Sequence, residues 1–90
     1  MEFSWDESKR QQTIADRNLD FRRADLFFDG RSVVHQSTPR NGEDRWKSTV
    51  RFEDLLFYTM VWTWRVESRH IISLRRAHAK EIRKYRDLYL

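Results

Sequence analysis

The chain has 90 residues and a mass of 11.2 kDa, which leaves room for one domain over residues 1–90. Hydrophobic residues make up 39% and aromatic residues 14%, with only two glycines and one proline, so the composition excludes a disordered tail or a linker. Cysteine is absent, which excludes disulfides, thiolate metal sites and cysteine nucleophiles.

Basic residues are concentrated in the last quarter of the sequence. Residues 65–90 carry eight Lys or Arg against three Asp or Glu, and the whole chain has a net charge of +4. A basic patch is typical of a surface that contacts phosphate groups, although an acidic protein partner would be attracted by the same charge. The first residues are acidic and polar, and the longest apolar run, 55–64, covers about half a membrane span. The sequence therefore predicts a cytoplasmic protein with no membrane segment.

The first third of the sequence predicts a short strand followed by two helices. Phe3–Trp5 is the strand, and a helix begins at about Asp6, whose side chain can accept hydrogen bonds from the first free N–H groups. This helix ends near Asn18, because asparagine tolerates the left-handed conformation common at helix ends. A shorter helix with an aromatic side begins at Phe21 and ends before the turn signal Asp29-Gly30.

Beyond Gly30 the pattern changes to that of extended strands. The predicted strands, which are joined by a polar loop at 37–44 and by short turns, are 32–35, 46–52, 55–64 and 71–75. The run 55–64 has no charged residue at either parity, which is typical of a central strand covered on both faces.

The last predicted strand leads directly into a helix. Strict alternation places Ile71, Ser73 and Arg75 on one face of this strand and Leu74 on the other. Residues 77–90 combine apolar positions at helical spacing with basic residues, which predicts an amphipathic helix. The whole series indicates an α+β fold: an antiparallel β-sheet meander with two N-terminal helices and a C-terminal helix.

Several short motifs follow one another in an order that is characteristic of one protein family. They are Trp5-Asp6-Glu7-Ser8-Lys9, Leu19-Asp20-Phe21, Phe27-Phe28-Asp29, Gly42-Glu43-Asp44-Arg45, Thr63-Trp64-Arg65 and Ile71-Ile72-Ser73-Leu74-Arg75-Arg76-Ala77 with Glu81 and Tyr85. In this order and spacing, along nearly the whole chain, they resemble the BrnT toxin family.

The resemblance implies a RelE-like fold and an endoribonuclease toxin of a type II toxin–antitoxin system. Its substrate is expected to be RNA, and its partner a BrnA-type antitoxin with a ribbon-helix-helix part that binds DNA. A toxin–antitoxin hetero-oligomer that binds promoter DNA through the antitoxin is therefore expected.

The chain departs from the family pattern at Thr13, Asp16, Arg17 and His70. The lysine and histidine that the family has near the end of the first helix are missing, and Arg17 restores a positive charge there without a proton-transfer function. His70 stands where the family has an arginine, and it can replace that charge only when protonated. Weakened or pH-dependent activity is therefore one hypothesis, and a non-catalytic module that binds nucleic acid or antitoxin is the alternative. A plain protein-interaction domain is a third interpretation.

Cleavage of RNA without a metal requires a base for the 2′-hydroxyl, an acid for the 5′-oxygen and cations for the phosphorane. The catalytic residues predicted for these roles are Arg75, Glu81, His70 and Tyr85. Arg75 offers a bidentate fork to a phosphate, and Glu81 could act as a base or orient Arg75. His70 can exchange protons near neutral pH, and His78 is the alternative to it. Contacts with RNA are predicted for five further side chains: Arg76, Arg45, Lys47, His78 and Lys80.

These residues also have structural interpretations. Arg75 could be a solvated strand end, Tyr85 a packing residue and Arg45 the partner of Glu43 in an ion pair. Among the tryptophans, Trp46 is the candidate for stacking on a base. The histidines and carboxylates show no spacing typical of a metal site, so neither a metal nor another cofactor is predicted.

Overall fold

The computed structural model of the chain describes residues 2–90. These residues form, in chain order, β1 (Phe3–Trp5), α1 (Glu7–Arg17), a 3₁₀ helix (Phe21–Phe27), β2 (Val34–Ser37), β3 (Trp46–Arg51), β4 (Phe57–Arg65), β5 (Ser68–Arg76) and α2 (Ala79–Tyr89). The predicted α+β class is confirmed.

All five strands belong to one sheet with the order β1-β5-β4-β3-β2. Strands β2 to β5 pair antiparallel along the chain as predicted, and β4 is the central strand. β1 instead pairs parallel with β5, with Phe3 beside Arg69. The sheet is therefore mixed, and the prediction of a wholly antiparallel meander is wrong at this edge, because local turn signals say nothing about a partner so distant in sequence.

The predicted bounds of the first helix are confirmed by its capping. The Asp6 side chain accepts hydrogen bonds from the N–H groups of Ser8 and Lys9, and Asn18 ends the helix with a φ of 56°. The second predicted helix is a 3₁₀ helix. Its buried residues Phe21, Ala24 and Phe27 are spaced by three, which matches three residues per turn and points all three side chains at the sheet.

The central strand begins two residues later than predicted and is less covered at its end. Leu55 and Leu56 lie in the turn before β4, where Leu55 has a φ of 68° and both side chains are exposed. The Asp54 carboxylate accepts a hydrogen bond from the Leu56 N–H and so stabilises this turn. Trp64, near the other end of β4, is half exposed.

A β-bulge in β5 overturns the predicted alternation of its side chains. Val61 pairs with Ser73 while Trp62 pairs with Ile71, so that Ile72 is an extra residue without an opposite partner. Ile71 and Leu74 are therefore both buried on one face although they are three residues apart. Arg75 lies on the opposite face from Ile71, not on the same face.

The two faces of the sheet are covered differently. The face beneath the 3₁₀ helix, here called the core face, carries the large hydrophobic cluster that includes Phe27, Met60 and Leu74. The other face, here called the site face, is packed against α2 through a small cluster of Val34, Phe57 and Tyr85. The polar residues of β3, β4 and β5 lie beside this small cluster.

Neither α1 nor α2, the α-helices within residues 2–90, has the length and apolar character needed to cross a membrane.

Candidate functional site

A buried carboxylate, Glu81, is the centre of a polar cluster on the site face. Its Oε1 accepts hydrogen bonds from Arg75 Nη1 at 2.8 Å, from Thr59 Oγ1 at 3.0 Å and from the His78 backbone N–H at 2.8 Å. Its Oε2 accepts from Arg75 Nη2 at 3.0 Å and lies 3.1 Å from Lys47 Nζ. Glu81 is only 3% exposed. These five residues are called the Glu81 cluster below.

Strand pairing and helix capping bring the Glu81 cluster together. Thr59 of β4 lies opposite Arg75 of β5, so that both side chains point to the site face at the same height. Glu81 is the third residue of α2, and it reaches back to the N–H of His78, the N-terminal capping residue. Lys47 enters from β3. Four elements of the fold are therefore tied to one carboxylate.

The environment of Glu81 fixes its charge. Burial alone would raise the pKa of Glu81, but hydrogen bonds from Arg75, the His78 N–H and Lys47 together hold this pKa well below its usual range. A carboxylate with so low a pKa is a weak base. Glu81 is therefore suited to orienting Arg75, the second of the two roles predicted for it.

The cations of the Glu81 cluster connect it to the surface. The side chains of Arg75 and Lys47 are 20% and 28% exposed, whereas that of Glu81 is almost fully buried. A guanidinium has five N–H groups, and its contact with Glu81 uses two of those of Arg75. The arrangement thus presents a positioned guanidinium and an ammonium group to an anion from solution.

A cavity of about 480 Å³ opens beside Arg75, at the end of the sheet. It is lined by Arg17, Asn18 and Leu19 after α1, by Tyr58 of β4, and by Arg75, Arg76 and His78 between β5 and α2. This space is called the β5–α2 cavity below. It connects the end of α1 with the Glu81 cluster through Arg75.

His70 lies away from the Glu81 cluster. It pairs with Thr63, which is four residues from the partner of Arg75 on β4, a separation of about 13 Å along the strand. Burial, together with the positive charges of Arg65 and Lys9, lowers the pKa of His70. This shift favours the neutral ring, which cannot replace the charge of an arginine.

The other predicted residues are divided between the cavity and the rest of the surface. His78 and Arg76 are exposed and line the β5–α2 cavity, and Lys80 is exposed on α2. Arg45 donates from Nε to Glu43 Oε1 at 2.8 Å, which is the ion pair of its structural interpretation. Lys47 belongs to the Glu81 cluster.

Two aromatic candidates point away from the Glu81 cluster. The Tyr85 ring packs edge-on against Phe57 at 5.2 Å, and its hydroxyl donates to the Ser32 carbonyl at 3.2 Å. This is a packing position. Trp46 lies on the core face, stacked on Trp62 at 6.3 Å, so it is on the opposite side of the sheet from Arg75.

Thr59 of the Glu81 cluster and several residues that line the cavity, Arg17 among them, were not predicted as site residues. Thr59 Oγ1 bridges Glu81 and Thr49 Oγ1, the latter at 2.9 Å. The sequence does carry a signal for Thr59, because Thr59 and Thr63 interrupt the apolar side chains on one face of the predicted strand. Arg17 Nη1 donates to the Leu74 carbonyl at 3.0 Å and so ties α1 to β5. That contact depends on the fold and has no signal in the sequence.

Across residues 2–90, no group of three or more His, Asp or Glu side chains is placed to hold a metal ion.

The chain matches a family model and is similar to a solved structure. Residues 5–81 match the model of a family described as the ribonuclease toxin BrnT of type II toxin–antitoxin systems. The chain is also similar to the crystal structure of the Brucella abortus ribonuclease toxin BrnT, with 27% sequence identity and a TM-score of 0.63. That likeness covers 87% of this chain and 97% of the other. No curated protein matches the chain by sequence. The matched residues run from β1 to Glu81 and include the whole Glu81 cluster.

Proposed function

Since the chain belongs to the BrnT family of ribonuclease toxins from type II toxin–antitoxin systems, we propose that it is an endoribonuclease that cleaves RNA without a metal ion. The observation that carries this proposal is the buried Glu81 carboxylate, which holds Arg75 in a fixed position at the surface. A fixed guanidinium can stabilise the charge that develops on a phosphorane, because it needs little reorganisation during the reaction.

The reaction transfers two protons and exchanges one bond at phosphorus. The 2′-hydroxyl loses its proton and its oxygen attacks the adjacent phosphorus, while the bond from phosphorus to the 5′-oxygen breaks and that oxygen gains a proton. The products are a 2′,3′-cyclic phosphate and a 5′-hydroxyl, so atoms balance without water or a redox partner. Arg75 and Lys47 would contact the phosphate oxygens.

His78 is the better placed of the two histidines for proton transfer. It is exposed, lines the same cavity as Arg75, and is connected to Glu81 through its backbone N–H. His70 is about 13 Å along the sheet from Arg75, too far for both side chains to contact one phosphate group directly. Replacement of His78 by glutamine should therefore lower the rate of cleavage.

The partner expected for such a toxin is an antitoxin that neutralises it. A BrnA-type antitoxin with a ribbon-helix-helix part would bind the toxin, and the complex would bind promoter DNA through the antitoxin. The basic carboxyl-terminal quarter would favour an acidic antitoxin segment. We also propose that the fold is RelE-like.

The experiment that tests this function is cleavage of a long single-stranded RNA in EDTA by protein freed from any co-expressed partner. Wild-type protein should cut the RNA, and Arg75→Gln should lower the rate by at least about 100-fold. Arg40→Gln is the matched control, since it also removes one exposed arginine charge but lies in the β2–β3 loop. It should cleave within about twofold of wild type.

Three results would contradict parts of the proposal. Cleavage that EDTA abolishes would show that a metal is required. Equal loss in the Arg40 and Arg75 variants would show that bulk charge, not the Glu81 cluster, matters. Intact RNA with binding that weakens as salt rises would indicate the alternative, a non-catalytic nucleic-acid-binding module.

A further inference from the structure

We propose that the β5–α2 cavity is a nucleotide subsite, which binds the nucleotide next to the phosphate contacted by Arg75 and so helps to set the RNA sequence that is cut. Its meaning as a subsite rests on the proposed function, but its capacity to bind a nucleotide does not. The argument uses its charge, its size and its position.

The charge of the cavity selects an anion. Three arginines and one histidine line it, and no carboxylate side chain stands among the described lining residues. Arg17 is held in place, because its Nη1 donates to the Leu74 carbonyl at 3.0 Å. Arg75 is held by Glu81. Two of the three guanidinium groups are thus positioned in advance, which lowers the entropy cost of binding a phosphate.

The size of the cavity exceeds the need of a phosphate alone. A volume of about 480 Å³ is in the range of small-molecule pockets. Part of its wall is apolar, from the buried side chain of Leu19 and the ring of Tyr58. Asn18 adds an amide, which can donate to and accept from the edge of a base. Cations, an apolar wall and one amide together match a nucleoside monophosphate.

The position of the cavity makes its occupant a neighbour of the reacting phosphate. Arg75 belongs both to the Glu81 cluster and to the cavity lining. An RNA strand with one phosphate on Arg75 would therefore place the adjoining nucleotide between Asn18 and His78. An acidic segment of a protein partner would be attracted by the same cations, so the test below includes such a segment.

The test is a titration of the ¹⁵N-labelled full chain, followed by NMR, with the four nucleoside 3′-monophosphates and with inorganic phosphate. At least one nucleotide should bind about tenfold tighter than inorganic phosphate, with the largest shifts at residues 17–19 and 76–78. Arg76→Gln should weaken binding of all four nucleotides by about tenfold.

Asn18→Gly provides a finer test of base recognition. Glycine adopts the φ of 56° found at this position without strain, so the helix end is kept while the amide is removed. The preferred nucleotide should bind about fivefold more weakly, and inorganic phosphate should bind unchanged. Arg40→Gln is again the control for net charge, and both of its affinities should equal those of wild type. Circular dichroism of each variant confirms its folding.

The possible outcomes separate this proposal from the proposed function. Equal affinity for phosphate and nucleotides, or shifts elsewhere in the chain, would overturn the subsite even if the protein cuts RNA. Binding as expected by a protein that leaves RNA intact would uphold the nucleotide site and overturn the nuclease. Shifts at the cavity with a ten-residue glutamate peptide, and none with nucleotides, would show that it binds an acidic protein segment instead.

Discussion

The two faces of the sheet exclude water by different means. On the core face, Phe27 and Met60 are fully buried, and apolar side chains need no specific partner there. On the site face, Glu81 and Thr59 are buried just as deeply, and each must be hydrogen-bonded, because an unpaired polar group in the interior costs free energy. The stability of the core face depends on how well apolar side chains fill its volume, and that of the site face depends on hydrogen-bond partners. The two faces should therefore respond to different substitutions.

This difference also separates stability from chemistry. A core of aromatic rings and aliphatic chains accepts many sequences of similar volume. The Glu81 cluster accepts few substitutions, since both oxygens of its carboxylate accept hydrogen bonds from specific donors in a fixed geometry. The hydrophobic face supplies the main core, and the polar face holds Arg75 in a fixed and partly exposed position.

The largest effect is expected on the core face. Phe27→Ala removes a fully buried ring that packs edge-on against Phe52 at 5.6 Å, and it should lower the free energy of unfolding by about 4 kcal/mol. Urea denaturation followed by tryptophan fluorescence measures this change. Leu88→Ala, at a half-exposed position on α2, is the control and should change stability by less than about 0.5 kcal/mol. A cost below about 1 kcal/mol for Phe27→Ala would contradict the assignment of this face as the main core.

The next largest effect is expected when the buried charge of the site face is removed without a change in side-chain shape. Glu81→Gln keeps the side-chain volume but leaves Arg75 and Lys47 without their anion, and it should cost about 3 kcal/mol. The exposed Glu67→Gln removes the same formal charge and should be nearly neutral. If the glutamine variant at 81 were as stable as wild type, the buried charge would not be what holds the site face together.

Acid should reduce the contribution that the Glu81 carboxylate makes to the stability of the folded chain. The folded state lowers the pKa of Glu81 below its unfolded value near 4.5, so the unfolded chain binds a proton first as the pH falls. The stabilisation is fully present above that pH and is lost below it, by about 1.4 kcal/mol per pH unit for this one proton. Unfolding measured between pH 5 and 3 should therefore have a shallower pH dependence in Glu81→Gln than in wild type. Parallel curves for the two proteins would disprove this contribution.

The smallest effect is expected when one polar residue of the site face is replaced by an apolar residue of the same shape. Thr59→Val preserves shape and burial but removes the hydroxyl that donates to Glu81 and contacts Thr49. Glu81 keeps its other donors, so the cost should be about 1 kcal/mol. Thr38→Val in the β2–β3 loop is the control. A gain in stability together with unchanged RNA cleavage would show that Thr59 contributes nothing to the position of Glu81.

Local chemistry explains which parts of the fold could be predicted from the sequence. Asp6 and Asn18 act on their own neighbours, so the bounds of α1 follow from the sequence. The parallel pairing of β1 and the bulge at Ile72 depend on partners far along the chain, so the neighbouring residues carry no signal that predicts them. The spacing of Phe21, Ala24 and Phe27 did carry the signal for a 3₁₀ helix, because three residues per turn aligns all three.

The candidate site follows the same rule. Arg75 and Glu81 are six residues apart across one strand end and one helix start, and their contact is within reach of sequence reasoning. The contributions of Lys47 and Thr59 come from two other strands, and only the register of the sheet shows that they meet Glu81. Bulge and register together also decide that His70 is remote from Arg75, which spacing along the sequence alone does not show.

The pairing of β1 with β5 has a consequence for the protein during its own synthesis. Phe3 is made first, and its partner Arg69 follows 66 residues later in a synthesis that proceeds from the N-terminus. Until β5 has been made, β1 has no strand to pair with. Glu81 is made later still, so its contacts with Arg75 and Lys47 form last. The contacts that fix the position of Arg75 can therefore form only after residue 81 has been made.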